Sequence, residues 1–169
     1  MQTRLLALAA LGACGLMACT EPGSRPEWRD GRPDLAHAAP GDVALAAATD
    51  AARARLERFD QALDARPAGC AGFALKVRIG PTASGEQVWL IEPVQLAGGY
   101  RGVVDNTPRS LADLRRGDLI TVPARGVTDW MMVCDGALVG GESLRLALRR
   151  AWPWQRSRWR DLTGFRIEP

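Results

Sequence analysis

The sequence predicts an α+β fold, with an N-terminal amphipathic helix packed on a small, mostly antiparallel β-sheet whose strands are short enough to roll into a barrel. Two patterns predict it. Apolar residues recur with a helical period in residues 43–66, and from residue 73 onward they alternate with a period of two. Tight turns separate the strand-like runs and leave no room for crossover helices, which favours antiparallel neighbours.

The chain has 169 residues, one domain with extensions rather than two full domains. Of its 47% apolar residues 27 are alanine, so Leu, Val, Ile and Trp carry most of the core. The net charge is only +3, with 21 arginines beside a single lysine, Lys76. This composition excludes a disordered chain, a collagen, a multi-span membrane protein and a strongly polycationic nucleic-acid binder.

At the N-terminus Arg4 precedes an uninterrupted apolar and small-residue run, residues 5–18, too short for a membrane span of ~20 residues. Leu16-Met17-Ala18-Cys19 is similar to a bacterial lipobox, in which the cysteine thiol takes diacylglycerol before cleavage. Leu11-Gly12-Ala13-Cys14 also fits but would leave a very short signal. Residues 1–18 are therefore expected to be a lipoprotein signal peptide and Cys19 the lipidated residue. Acyl chains at ~0.8 kcal/mol per buried CH₂ would hold such a protein to a membrane durably. Thr20, where an aspartate would favour inner-membrane retention, resembles sorting to the outer membrane, facing the periplasm of a Gram-negative envelope.

Residues 19–42 are rich in Pro and Gly without a period and are expected to be a flexible tether. The only histidine, His37, lies there as an exposed linker residue. Asp42 suits a helix N-cap, and Ala52, Leu56, Phe59 and Leu63 form one apolar stripe that Pro67 and Gly69 end. Next, Phe73, Leu75, Val77 and Ile79 share one strand face and Lys76 and Arg78 the other. Further strands follow at residues 87–96, where Pro93 marks an edge or a bulge, then at 100–104, 119–123 and 127–134. Asp135-Gly136 signals a hairpin into residues 137–139, and a last element spans 143–150. The domain is thus expected over residues 43–150, with an Arg/Trp-rich extension over 151–169.

Phe73-Ala74-Leu75-Lys76-Val77, Glu86 before Trp89, Gly98-Gly99-Tyr100-Arg101-Gly102, Asn106-Thr107-Pro108-Arg109, Asp129-Trp130-Met131 and Leu138-Val139-Gly140-Gly141 with Arg145 occur in that order. Together they resemble the YegJ-like bacterial family, the domain of unknown function DUF2314. The resemblance implies a compact single domain, found alone or behind signal peptides, and brings no known activity. Gln87 stands where the family often has histidine, and Glu142-Ser143 where it often has Tyr-Thr.

Candidate ligand-binding residues are Asp129, Trp130, Glu86, Trp89, Asp105 and Asn106. Asp129 and Trp130 could wall a cleft and hold a polar group, or cap a turn and fill the core. The same alternatives apply to Glu86 and Trp89, and turn chemistry alone accounts for Asp105-Asn106. No catalytic set assembles, because residues 43–150 contain no histidine. No phosphate loop, metal site or other cofactor motif is present. Cys70 and Cys134 form either a disulfide closing a loop of about 64 residues or two separate buried thiols. Seven arginines between residues 145 and 169, interleaved with Trp152, Trp154 and Trp159, suit an anionic membrane surface or an extension packed on the domain.

The expected function is a non-catalytic, lipid-anchored cell-envelope protein whose domain binds an envelope protein, a cell-wall polymer or the membrane surface, and not nucleic acid. The alternatives are a carboxylate-based hydrolase and an immunity or inhibitor-type lipoprotein.

Overall fold

The computed structural model describes residues 23–35, 41–81 and 85–167. Cys14, Cys19 and His37 lie outside them. Six antiparallel strands form the sheet: β3 (Cys70–Ile79), β4 (Glu86–Leu96), β5 (Gly99–Val104), β6 (Leu119–Pro123), β7 (Val127–Cys134) and β8 (Ala137–Gly140). Their order is β6-β5-β4-β3-β7-β8. The fold is α+β as the sequence predicts, but the sheet is not a barrel. Its edges β6 and β8 are not paired with each other, while packed elements cover both faces.

Helices α1 (Val43–Ala54) and α2 (Leu56–Ala65) cover one face. Asp42 caps α1 by accepting the Leu45 N–H at 3.0 Å. The single helix expected over residues 43–66 breaks at Arg55, which is neither glycine nor proline. The cause is Trp130, whose indole N–H donates to the Ala52 carbonyl at 2.8 Å. The Arg55 N–H turns back onto that same oxygen at 3.2 Å. A donor inserted into the i→i−4 ladder kinks a helix. Phe59 and Leu63 then pack on Phe73, Leu75, Val77, Leu90, Tyr100 and Trp130, with the Phe59 ring 5.5 Å from that of Trp130.

Pro93 marks a bulge in an interior strand, since the β4–β5 register shifts between Ile91 and Val94. Glu92 takes φ 52° there. The Asp135-Gly136 turn has φ 50° and 75°, the conformation of a two-residue hairpin loop.

The second face carries two elements that correct the expected boundaries. Residues 27–34, expected as part of a flexible tether, form a hairpin of β1 (Glu27–Arg29) and β2 (Arg32–Asp34), in which Asp30 and Gly31 take φ 47° and 81°. Side-chain pairing with the sheet fixes this segment, and a periodicity test does not see such pairing in strands of three residues. At the other end, α3 (Glu142–Arg150) is followed by α4 (Pro153–Thr163), so the folded unit continues past residue 150. Trp159 of α4 is buried with Leu138, Leu144 and Leu148, and Arg166 forms a bridge to Ala137 at the β8 edge. No described helix is long and apolar enough to cross a membrane.

Candidate functional site

The acidic candidates bind the protein's own backbone and arginines. Asp129 is fully buried in β7 and accepts four hydrogen bonds. Its Oδ1 takes the N–H groups of Trp130 (2.8 Å) and Glu142 (3.1 Å). Its Oδ2 takes the Ser143 N–H and hydroxyl, both at 2.7 Å. Asp129 therefore caps α3 from a neighbouring strand, satisfying N–H groups that a helix leaves open at its start. Gly140-Gly141 makes this approach feasible, with φ 73° and 71°, and a side chain at Gly140 would collide with Trp130. Burial pushes the Asp129 carboxyl above its usual range, against the hydrogen bonds from Ser143 and Trp130 and the charge of Lys76. Trp130 itself is a core residue.

Glu86 plays a comparable part for the loop after β5. It accepts the backbone N–H groups of Arg109 (2.7 Å) and Ser110 (2.8 Å) and the Ser110 hydroxyl (2.8 Å). Burial opposes its ionisation, yet these donors and the Arg29 charge hold the carboxyl below the usual glutamate range. Asn106 accepts the Trp89 N–H through Oδ1 at 2.5 Å, and the Asp105 N–H donates to the Trp89 carbonyl at 2.8 Å. The Asp105 carboxylate pairs with Arg32 and, at 3.1 Å, with Arg116. Trp89, Asp105 and Asn106 therefore meet. Asp129 shares the sheet face of Trp89, one strand beyond Lys76, which is the register partner of both, while Trp130 lies in the core on the opposite face.

A chain of buried charges, not foreseen in the sequence, holds the hairpin to the sheet. Arg29 reaches Glu86 at 3.2 Å and Asp34 at 3.6 Å, and the Lys76 ammonium donates to Asp34 at 3.1 Å. Lys76 stands directly across from Asp129 in the β3–β7 register. The sole lysine is only 4% exposed. Burial alone would raise the Asp34 carboxyl, but the ammonium and the Arg29 guanidinium outweigh it and hold it low. Asp30-Gly31, a hairpin dipeptide with Trp28-Arg29 before it, was the available sequence signal.

Beside this chain runs a groove of about 660 Å³. Its floor is mainly apolar and includes Ala71, Phe73, Ile91, Met131 and Phe165, while Arg32, Arg66 and Glu92 stand at its margin. It opens because the β3–β4 ladder begins at Ala74↔Ile91, whereas the β3–β7 ladder starts at Cys70↔Cys134. Beyond the bulge β4 veers away. Cys70 and Cys134 are joined by a disulfide, S–S 2.06 Å, at the groove's end. Among the described residues no three His, Cys, Asp or Glu side chains gather to hold a metal.

The fold and these motifs define the class of protein. Residues 42–166 match the family described as an uncharacterized protein conserved in bacteria, DUF2314, and the chain belongs to that family. The match runs through α4, in agreement with a folded unit that continues past residue 150. The chain is also similar to a protein of Neisseria meningitidis serogroup B that bears the name of an ankyrin repeat protein, 34% identical over 61 residues. That match covers 36% of this chain and 24% of the relative. No solved structure matches the chain.

Proposed function

We propose that this protein is a non-catalytic partner-binding domain held at the cell envelope by lipid on Cys19. The observation that carries the non-catalytic reading is the use of Asp129, Glu86 and Asp105. Each carboxylate is saturated by backbone donors or arginines that fix a helix, a loop or the hairpin. A hydrolase needs two carboxyl groups free to face one open cleft. Asp30, Glu92 and Asp105 line the groove. Asp105 is held by Arg32 and Arg116, however, and Asp30 by the Thr107 N–H and hydroxyl, so these two serve the hairpin and the loop beside it. The groove's apolar floor and charged margin suit a side-chain cluster from another envelope protein. The lipobox-like segment supports the address, and the Cys70–Cys134 disulfide adds a little support for an oxidising compartment.

The test is a pull-down from detergent-solubilised envelope with the wild type and Ala71→Arg in parallel. Ala71 is exposed and lines the groove, so arginine there fills it without entering the core. A specific partner lost in Ala71→Arg is the expected result. A partner retained by that variant, or none recovered by either protein, would count against the groove. For the address, wild type should take up acyl label and Cys19→Ser should not.

A further inference from the structure

We propose that the corner where α3 meets α4 is a membrane-facing surface that rests on anionic phospholipid headgroups. Three independent features meet there. The first is a cluster of positive charge. A groove of about 810 Å³ between the helices is rimmed by Arg145, Arg149, Arg156, Arg160 and Arg166 over a floor of Leu148, Trp159, Phe165 and Ile167. No carboxylate lines it. Arg145 and Arg166 donate to the backbone carbonyls of Leu138 and Asp135. Arg149, Arg156 and Arg160 are exposed and make no ion pair among the described residues.

The second feature is a pair of indoles in water. Trp152 is 48% exposed and Trp154 61% exposed, flanking Pro153 at the first turn of α4. Two indoles this exposed at the α3–α4 junction suit the headgroup zone of a bilayer, where an indole is half apolar and half wet and arginines meet phosphates. The third is where the chain enters. The Arg25 guanidinium stacks 3.7 Å over the Trp152 ring, and Gly23 lies against Arg150. Three residues separate Cys19 from Gly23, four chain steps that span at most ~14 Å when fully extended. A lipid on Cys19 would therefore enter the bilayer close to this corner, and the domain would sit flush with its arginines at the phosphates. A 24-residue leash would have set no such orientation.

The orientation rests on the lipid-anchor reading, whereas the affinity of the surface does not, so the two are tested separately. The full chain carrying Cys19→Ser is sedimented with vesicles of phosphatidylglycerol and with vesicles of phosphatidylcholine. Binding to phosphatidylglycerol should be the stronger, should weaken with salt, and should fall about a hundredfold in Arg149→Gln/Arg156→Gln/Arg160→Gln. These side chains are exposed and make no ion pair among the described residues, so the variant keeps its fold, which circular dichroism checks. Tryptophan emission should shift to the blue on phosphatidylglycerol vesicles and lose that shift in Trp152→Ser/Trp154→Ser. Equal binding to both vesicles, or a triple variant that binds like its parent, would overturn the proposal whatever acyl labelling shows for Cys19.

Discussion

Replacing Asp129 by asparagine keeps the shape of the side chain and turns one of its two oxygens into a donor. With the amide nitrogen in place of Oδ2, the Ser143 N–H faces another donor and stays unsatisfied in a buried site. With it in place of Oδ1, the N–H groups of Trp130 and Glu142 are both stranded. One buried unsatisfied donor costs about 1–3 kcal/mol, and losing a negative charge at the start of α3 costs up to about another 1 kcal/mol. Relief from burying a charge returns part of this, which leaves about 2–3 kcal/mol for Asp129→Asn. Asp129→Ala strands all three backbone N–H groups and should cost about 4 kcal/mol. Ser143→Ala removes one hydroxyl contact and should cost about 1 kcal/mol. Urea unfolding followed by tryptophan emission reads these values, with the midpoint of Asp129→Asn falling by about 1–2 M. A carboxylate kept for a reaction behaves differently, since its removal is commonly neutral or stabilising. A loss below about 1 kcal/mol for both Asp129 variants would refute the assignment of Asp129 as the cap of α3.

The remaining predictions concern the other anchors. Lys76→Met leaves Asp34 buried beside a lost partner and should cost about 3–5 kcal/mol, most of it recovered by adding Asp34→Leu; absence of recovery in urea unfolding would refute the pairing. Cys70→Ala with Cys134→Ala opens a loop of sequence separation 64 and should cost about 4 kcal/mol, matched by adding reductant to the wild type. Asp42, held low first by its hydrogen bond from Arg150, and Asp34 and Glu86 all ionise below their usual values of 3.8 and 4.5. In that window the unfolded chain binds more protons, so stability rises with pH there and is lost as pH falls through the folded values. Asp129 has the opposite sign, and its contribution declines as pH rises from 3.8 toward its higher folded value. Asp42→Asn should therefore flatten the acid limb of a urea-midpoint profile, and an unchanged limb would contradict the Arg150 pairing.

What could be read in the sequence was what neighbouring residues encode. The alternation through Phe73, Leu75 and Val77, the Asp135-Gly136 turn and the break at Pro93 depend on chain geometry within a few residues, and each produced its element. The kink at Arg55 did not show, because its cause is an indole 78 positions away from Ala52 along the chain. Lys76 shared a strand face with Arg78 and gave no sign of burial, since its partner Asp34 lies 42 residues upstream. Tertiary pairing likewise decides the hairpin, whose strands are too short for periodicity and contain Pro33. Among the site candidates, Trp89, Asp105 and Asn106 do come together. Asp129 and Glu86 turn from candidate ligand groups into caps, which only the placement of α3 and of the loop at Arg109 and Ser110 could reveal.

Carbon-detected NMR of the side-chain carboxyls against pH tests most directly the claim that these acidic residues serve the fold. Asp34, Asp42 and Glu86 should titrate below 3.8, 3.8 and 4.5, while Asp129 titrates above 3.8. Four carboxyls titrating together at ordinary values, or an Asp129 that titrates lowest of all, would contradict the account.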